Sequence, residues 1–274
     1  MLTLLFRHHP VQRLALILSG FCVLLFLVVP ILVIIPLSFN SDSYFTYPLA
    51  GFSLKWYAAF FESPNWLLAL RNSLLVAGVA TLLSTLLGGA AALGLSHPRF
   101  PFKRLAMAII LAPMILPVII SAVALYFTVT RLGLTDSLPA LILAHTTIAA
   151  PFVIIAVSAG LEGFDQNLMR AAASLGAPPM VAFRRVMLPL LAPSVATGAI
   201  FAFVASFDDL VIALFVAGTE QRTLPRQMWS GVRENLDPTI LAVATMLVGL
   251  SAVVLLAVGL LRRSQRSHST GGIK

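Results

Sequence analysis

The stretch Arg170-Ala171-Ala172-Ala173-Ser174-Leu175-Gly176, followed by Ala177-Pro178-Pro179 and then by Arg184-Arg185-Val186-Met187-Leu188-Pro189, decides how this chain is read. Asp165 can cap a helix running to about Leu175, and Gly176 can terminate it. Leu168, Ala171, Ala172 and Leu175 share one side at helical spacing. The small alanines let another protein's surface approach the backbone closely. Pro178 and Pro179 then stop the helix and redirect the chain. The segment fills the longest interior gap between apolar spans that carries mostly basic charge, so a soluble partner can grip it. That placement suits half of a machine better than a self-sufficient pore.

Working outward, hydrophobic residues make up 59% of the 274 positions and charged residues only 10%. Mean hydropathy is +0.98. Soluble domains carry about 25% charged residues, so lipid is the main solvent here. The formal charge of +8 is spread between the apolar spans, which marks topology and excludes nucleic acid as a partner. The one cysteine, Cys22, lies in an apolar run and allows no intrachain disulfide.

A bilayer core of about 30 Å asks for about 20 apolar residues per helix. Six stretches meet this, roughly 14–38, 72–95, 105–130, 138–160, 187–217 and 238–261. The expectation is an all-α membrane protein forming one transmembrane domain over 1–274, with a connecting segment at about 162–186. The first span follows Arg7 and Arg13 but lacks a signal-peptide cleavage site, so it reads as a retained helix. With both termini inside, Arg7, Arg13, Arg99, Lys103, Arg104, Arg170, Arg184, Arg185, Arg262, Arg263, Arg266 and Lys274 fall on the cytoplasmic side. That leaves Lys55, Arg71, Arg131, Arg222, Arg226 and Arg233 outside. The positive-inside rule therefore gives an N-in, C-in arrangement. The aromatic segment 39–71 reads as an interfacial belt with a short amphipathic helix near 53–62.

The chain carries no energy source of its own. Its three lysines, Lys55, Lys103 and Lys274, follow Leu54, Phe102 and Ile273, so none closes a Gly-Lys-Ser/Thr phosphate loop. No Cys/His cluster has metal-ligand spacing, no catalytic set can be assembled, and no Gly-rich selectivity filter is evident. His145, inside the fourth span, reads as an interhelical hydrogen-bonding group.

Asp208 and Asp209 stand inside the fifth span, within Ala205-Ser206-Phe207-Asp208-Asp209-Leu210. Gly218 is ten residues on from Asp208, so the pair lies about 15 Å below the outer helix end, near the bilayer middle. One carboxylate at that depth costs about 2.5–3.5 kcal/mol, and no basic residue in a neighbouring span offers an evident match. A water-lined path for cations is the natural compensation. Successive residues project about 100° apart, so one acid faces the path and the other caps a break near Ser206 or bonds a neighbouring helix.

The spacing of Ala171-Ala172, Gly176, Val186 and Leu188-Pro189 closely resembles the signature of integral-membrane permease subunits of ABC importers. One departure is that Arg170 stands where the family has an acidic residue. The resemblance extends through Phe52-Ser53-Leu54-Lys55-Trp56-Tyr57, Asn72-Ser73-Leu74 and Leu111-Ala112-Pro113-Met114-Ile115-Leu116-Pro117. Ser206-Phe207-Asp208-Asp209 and Thr223-Leu224-Pro225 resemble the spermidine/putrescine-type branch. This implies the type I (MetI-like) permease fold in a bacterial inner membrane. It also implies a second homologous permease, an ATPase dimer that binds ATP and magnesium, and a periplasmic substrate-binding protein, with no cofactor in this chain. Ala171, Ala172, Gly176, Leu188 and Pro189 would couple to the ATPase. Asp208, Asp209, Ser206 and Trp56 would line the path of a polyamine or related organic cation. An ABC permease for an amino acid, iron or a sugar, and a self-contained cation channel or secondary transporter, remain as alternatives.

Overall fold

Long uninterrupted apolar runs fold here as helices because backbone polar groups in lipid must be satisfied within the segment. A computed structural model of the chain describes residues 10–44, 47–97, 99–234 and 238–252, the side chains of 10–13 and 234 excepted. The chain divides into two units, residues 1–63 with 231–274, and residues 64–230.

In the first unit, α1 spans Pro10–Leu37; its apolar side chains from Leu14 to Val33 are exposed, as in Phe26 at 77%, and those of Ile34, Ile35 and Leu37 are half-buried. A turn follows, with an isolated antiparallel bridge between Asn40 and Phe52. It leads to α2, Lys55–Glu62, the short helix expected near 53–62. Phe39 stacks on Phe52 with ring centroids 5.0 Å apart, and the Ser38 and Tyr57 hydroxyls are 2.7 Å apart.

The second unit opens with α3, Pro64–Ser96. Proline at its start lacks only an N–H that the first turn would leave orphaned, so the helix begins eight residues before the expected 72. α4, Lys103–Ile115, and α5, Val118–Arg131, are bent by 108° at the Leu116–Pro117 break. The stretch expected as one span over 105–130 is thus two helices meeting at a break. Pro117 cannot donate to the ladder, and its ring drives Leu116 into extended backbone at ψ 145. α6 runs Leu138–Glu162, with the Ser137 hydroxyl capping it through the Ala140 amide at 3.3 Å. α7 is Asn167–Ser174 and α8 Pro179–Ala182. A π-turn over Phe183–Met187 joins α8 to α9, Leu188–Phe207, just ahead of Pro189 and its missing N–H. α10, Val211–Val216, follows a break. Two elements thus replace the span expected over 187–217, and the chain turns helical again at Pro179.

α11, Leu224–Glu234, lies at the boundary of the units. The last described helix, α12, is Thr239–Ala252. The rest of the span expected over 238–261 lies outside the described residues, as do Arg7, Arg262, Arg263, Arg266 and Lys274. Among the described residues four helices are long and apolar enough to cross a membrane, or five with the α4–α5 pair.

α3, α6 and α9 pack on one another through small residues, since van der Waals contact rather than hydrophobicity holds helices together in lipid. A Cβ on Gly198 would stand 2.9 Å from Val153 Cα, and one on Gly88 would stand 3.0 Å from Val153 Cβ. Two apolar clusters result. Val76, Ala140, Leu141, Ala144 and Ile212 belong to one, and Ala92, Val153, Val157 and Ala202 to the other. A polar layer separates them.

Candidate functional site

That layer is built where α3, α6 and α9 meet. The Ser84 hydroxyl of α3 donates to the Thr146 carbonyl of α6 at 3.2 Å. His145, fully buried, places Nδ1 at 3.0 Å from the Ser206 carbonyl and 2.9 Å from its hydroxyl. A carbonyl only accepts, so Nδ1 carries the proton in that contact. The interhelical bond expected of His145 is thus made, to a residue of the site itself.

Ser206 needs that donor because α9 stops at Phe207, and each helix end leaves carbonyls without an amide one turn on. Asp209 holds the other side of the break. Its Oδ2 accepts from the amides of Ile212 at 2.9 Å and Ala213 at 3.3 Å, the usual work of a carboxylate at a helix start. The same oxygen lies 3.8 Å from His145 Nε2, which has no hydrogen-bond partner. Asp208 is exposed; its amide donates to the Val204 carbonyl at 3.0 Å, and its carboxylate makes no hydrogen bond or ion pair among the described residues. The two acids therefore have different surroundings, one tied into the break and one free of the bundle. The depth of about 15 Å assumed a continuous helix and does not survive the break.

Trp56 belongs to the first unit. Its indole N–H donates to the Asn40 carbonyl at 2.9 Å, and Lys55 Nζ lies 4.4 Å from its ring centroid. Within the second unit, two motifs far apart in sequence meet. Asn72 donates to the Glu220 and Arg222 carbonyls at 2.8 and 3.1 Å, and the Leu224 amide donates to the Ser73 hydroxyl at 2.7 Å. Arg226 donates to the Gly218 carbonyl at 2.8 Å, and burial holds its guanidinium below its ordinary value.

The 162–187 segment is a second, separate surface. Asp165 accepts from the Asn167 amide at 2.9 Å, in the turn that leads through Gln166 into α7. Gly176, at φ +79, closes it with bonds from its own amide to Ala173 O at 2.9 Å and from Ala177 N to Ala172 O at 3.0 Å. That pair is the Schellman arrangement. Ala171, Leu188 and Pro189 are exposed and Ala172 is half-buried. Leu175 is 88% exposed and Met180 66%, so nothing among the described residues covers this face. Beside it, Lys103, Glu162, Met169, Arg170 and Met187 help line a cavity of about 820 Å³.

Residues 84–267 match the family described as binding-protein-dependent transport system inner membrane component. The chain is 34% identical over 249 residues to the spermidine/putrescine transport system permease protein PotC of Escherichia coli K12, covering 91% of this chain and 94% of that one. It is 33% identical to the putrescine transport system permease protein PotI of the same strain, covering 88% and 87%. In fold, it is similar to a chain of a bacterial ABC transporter involved in the import of the acidic polysaccharide alginate. The TM-score is 0.70 at 17% identity, covering 93% of this chain and 98% of that one.

Proposed function

The chain belongs to the binding-protein-dependent transport system inner membrane component family, and from that premise we propose that this permease subunit carries a polyamine or related organic cation. The observation that supports the cargo is the free carboxylate of Asp208 beside a held break in an apolar helix. A primary ammonium is the natural counter-charge for it, and an anionic cargo would be repelled. The similarity to polyamine permeases over most of the chain supports the same class.

In this reading the chain is a single domain, N-in and C-in with six spans, in a bacterial inner membrane. It forms half of the path with a second permease. A periplasmic binding protein delivers cargo, and an ATPase dimer, which binds the ATP and magnesium, drives the cycle from the cytoplasm. The α7 face around Ala171, Ala172 and Gly176 docks on the ATPase, and Leu188 and Pro189 root that face in α9. Closure of the ATPase pulls α7 and turns the permease pair outward. The cation then rests against Asp208, near Ser206 and with Trp56 on its route, and is released inward after hydrolysis.

The test is uptake of labelled spermidine and putrescine in cells lacking their own polyamine importers and supplied with the full transporter. Unlabelled polyamines are expected to compete, and amino acids, sugars and oxyanions to leave uptake unchanged. Competition by one of those other classes would overturn the cargo.

A further inference from the structure

His145 is a fully buried titratable group that the transport cycle above does not use. It reaches from α6 to a break 61 residues away in sequence. The break itself, Phe207-Asp208-Asp209-Leu210, contains neither proline nor glycine, so no local backbone rule produces it. It persists because both of its ends are satisfied. Asp209 takes two amides of α10, and the His145 imidazole takes the Ser206 carbonyl left open by α9.

Remove the imidazole and the carbonyl has one ready alternative, the Leu210 amide one turn ahead. That bond would run the helix on through 208–210 and swing Asp208 from its present direction, since each helical residue turns by about 100°. An unmet carbonyl in an apolar surrounding makes the switch favourable. We infer that His145 is a positioning residue for transport: it holds the break in the fifth span open and thereby fixes the direction of Asp208. The inference rests on the proposed role of Asp208 in the path.

The side-chain chemistry gives a selective test. Asparagine can place an amide nitrogen close to Nδ1 and keep the bond to Ser206, whereas glutamine reaches the Nε2 position and leucine offers no donor. The complete transporter, with its ATPase and binding protein, is reconstituted with His145→Leu, His145→Gln, His145→Asn, Asp208→Asn and the His145→Leu/Asp208→Asn pair. The readout is spermidine taken up per ATP hydrolysed. His145→Leu and His145→Gln are expected to lower the ratio about tenfold, a 1.4 kcal/mol effect. His145→Asn is expected to retain most of it. The double variant is expected to fall no further than Asp208→Asn alone, because residues acting through one another are not additive.

Should His145→Leu fail to assemble, the Asn and Gln variants carry the comparison. Losses that add in the double variant, or equal ratios for Asn and Gln, would overturn the positioning role while leaving Asp208 in the path. An unchanged ratio for Asp208→Asn alone would instead remove the reading on which the inference stands.

Discussion

Replacing Gly176 by leucine is expected to leave the chain inserted and the complex assembled, yet to cut polyamine uptake by about tenfold or more. A Cβ at Gly176 would meet nothing within 4 Å, so the substitution does not crowd the chain itself. Two effects remain. The φ of +79 costs a non-glycine residue about 1–2 kcal/mol, which loosens the Schellman turn that ends α7. The new side chain also projects into open space beside Leu175, where the ATPase docks in the present account. Loss of a well-packed contact at an interface is worth about 2 kcal/mol or more, enough for the tenfold fall. The signature is loss of the stimulation of ATP hydrolysis by loaded binding protein, measured on the purified complex. Gly176→Asn, which tolerates the left-handed conformation, should be milder. Normal uptake by the leucine variant would count against the docking role.

The acidic pair is expected to divide on substitution. Asp208→Asn keeps size and removes charge from an exposed side chain with no partner among the described residues. Uptake should fall about ten- to hundredfold, the span set by a charged hydrogen bond of about 1.5–3 kcal/mol. Complex abundance and stimulated ATP hydrolysis should hold. Asp209→Ala acts differently: it uncaps α10 at about 1 kcal/mol and removes the carboxylate facing His145 Nε2. Its expected effect is a lower melting temperature and lower abundance, with uptake falling in proportion. Quantitative blots beside uptake assays separate the two. Parallel loss of abundance and uptake in both variants would make the pair purely structural.

Much of the membrane architecture was legible because its signals are local. Hydropathy located the long helices α1, α3, α6 and α9, and Asp165 and Gly176 marked the ends of α7. What escaped was set by distant partners. Pro193 lies inside α9 and Pro151 inside α6 without interrupting either helix, while the break in the fifth span falls where there is no proline. It needed His145, whose bond to Ser206 spans 61 residues. The one available signal was a histidine alone in an apolar span, a costly placement that implies a partner. Pro117 removes a ladder donor where α4 ends, but nothing local sets the bend of 108°. Likewise, Asn72-Ser73 and the 220–224 loop each looked familiar, and only folding joined them.

The most direct measurement is labelled spermidine uptake into proteoliposomes holding this chain with its second permease, ATPase and binding protein. Uptake is expected only when all four proteins and ATP on the ATPase side are present, and it should drop sharply with Asp208→Asn. Spermidine movement by this chain without the ATPase would contradict the account, since a self-contained channel or secondary transporter has no need of the α7 docking face.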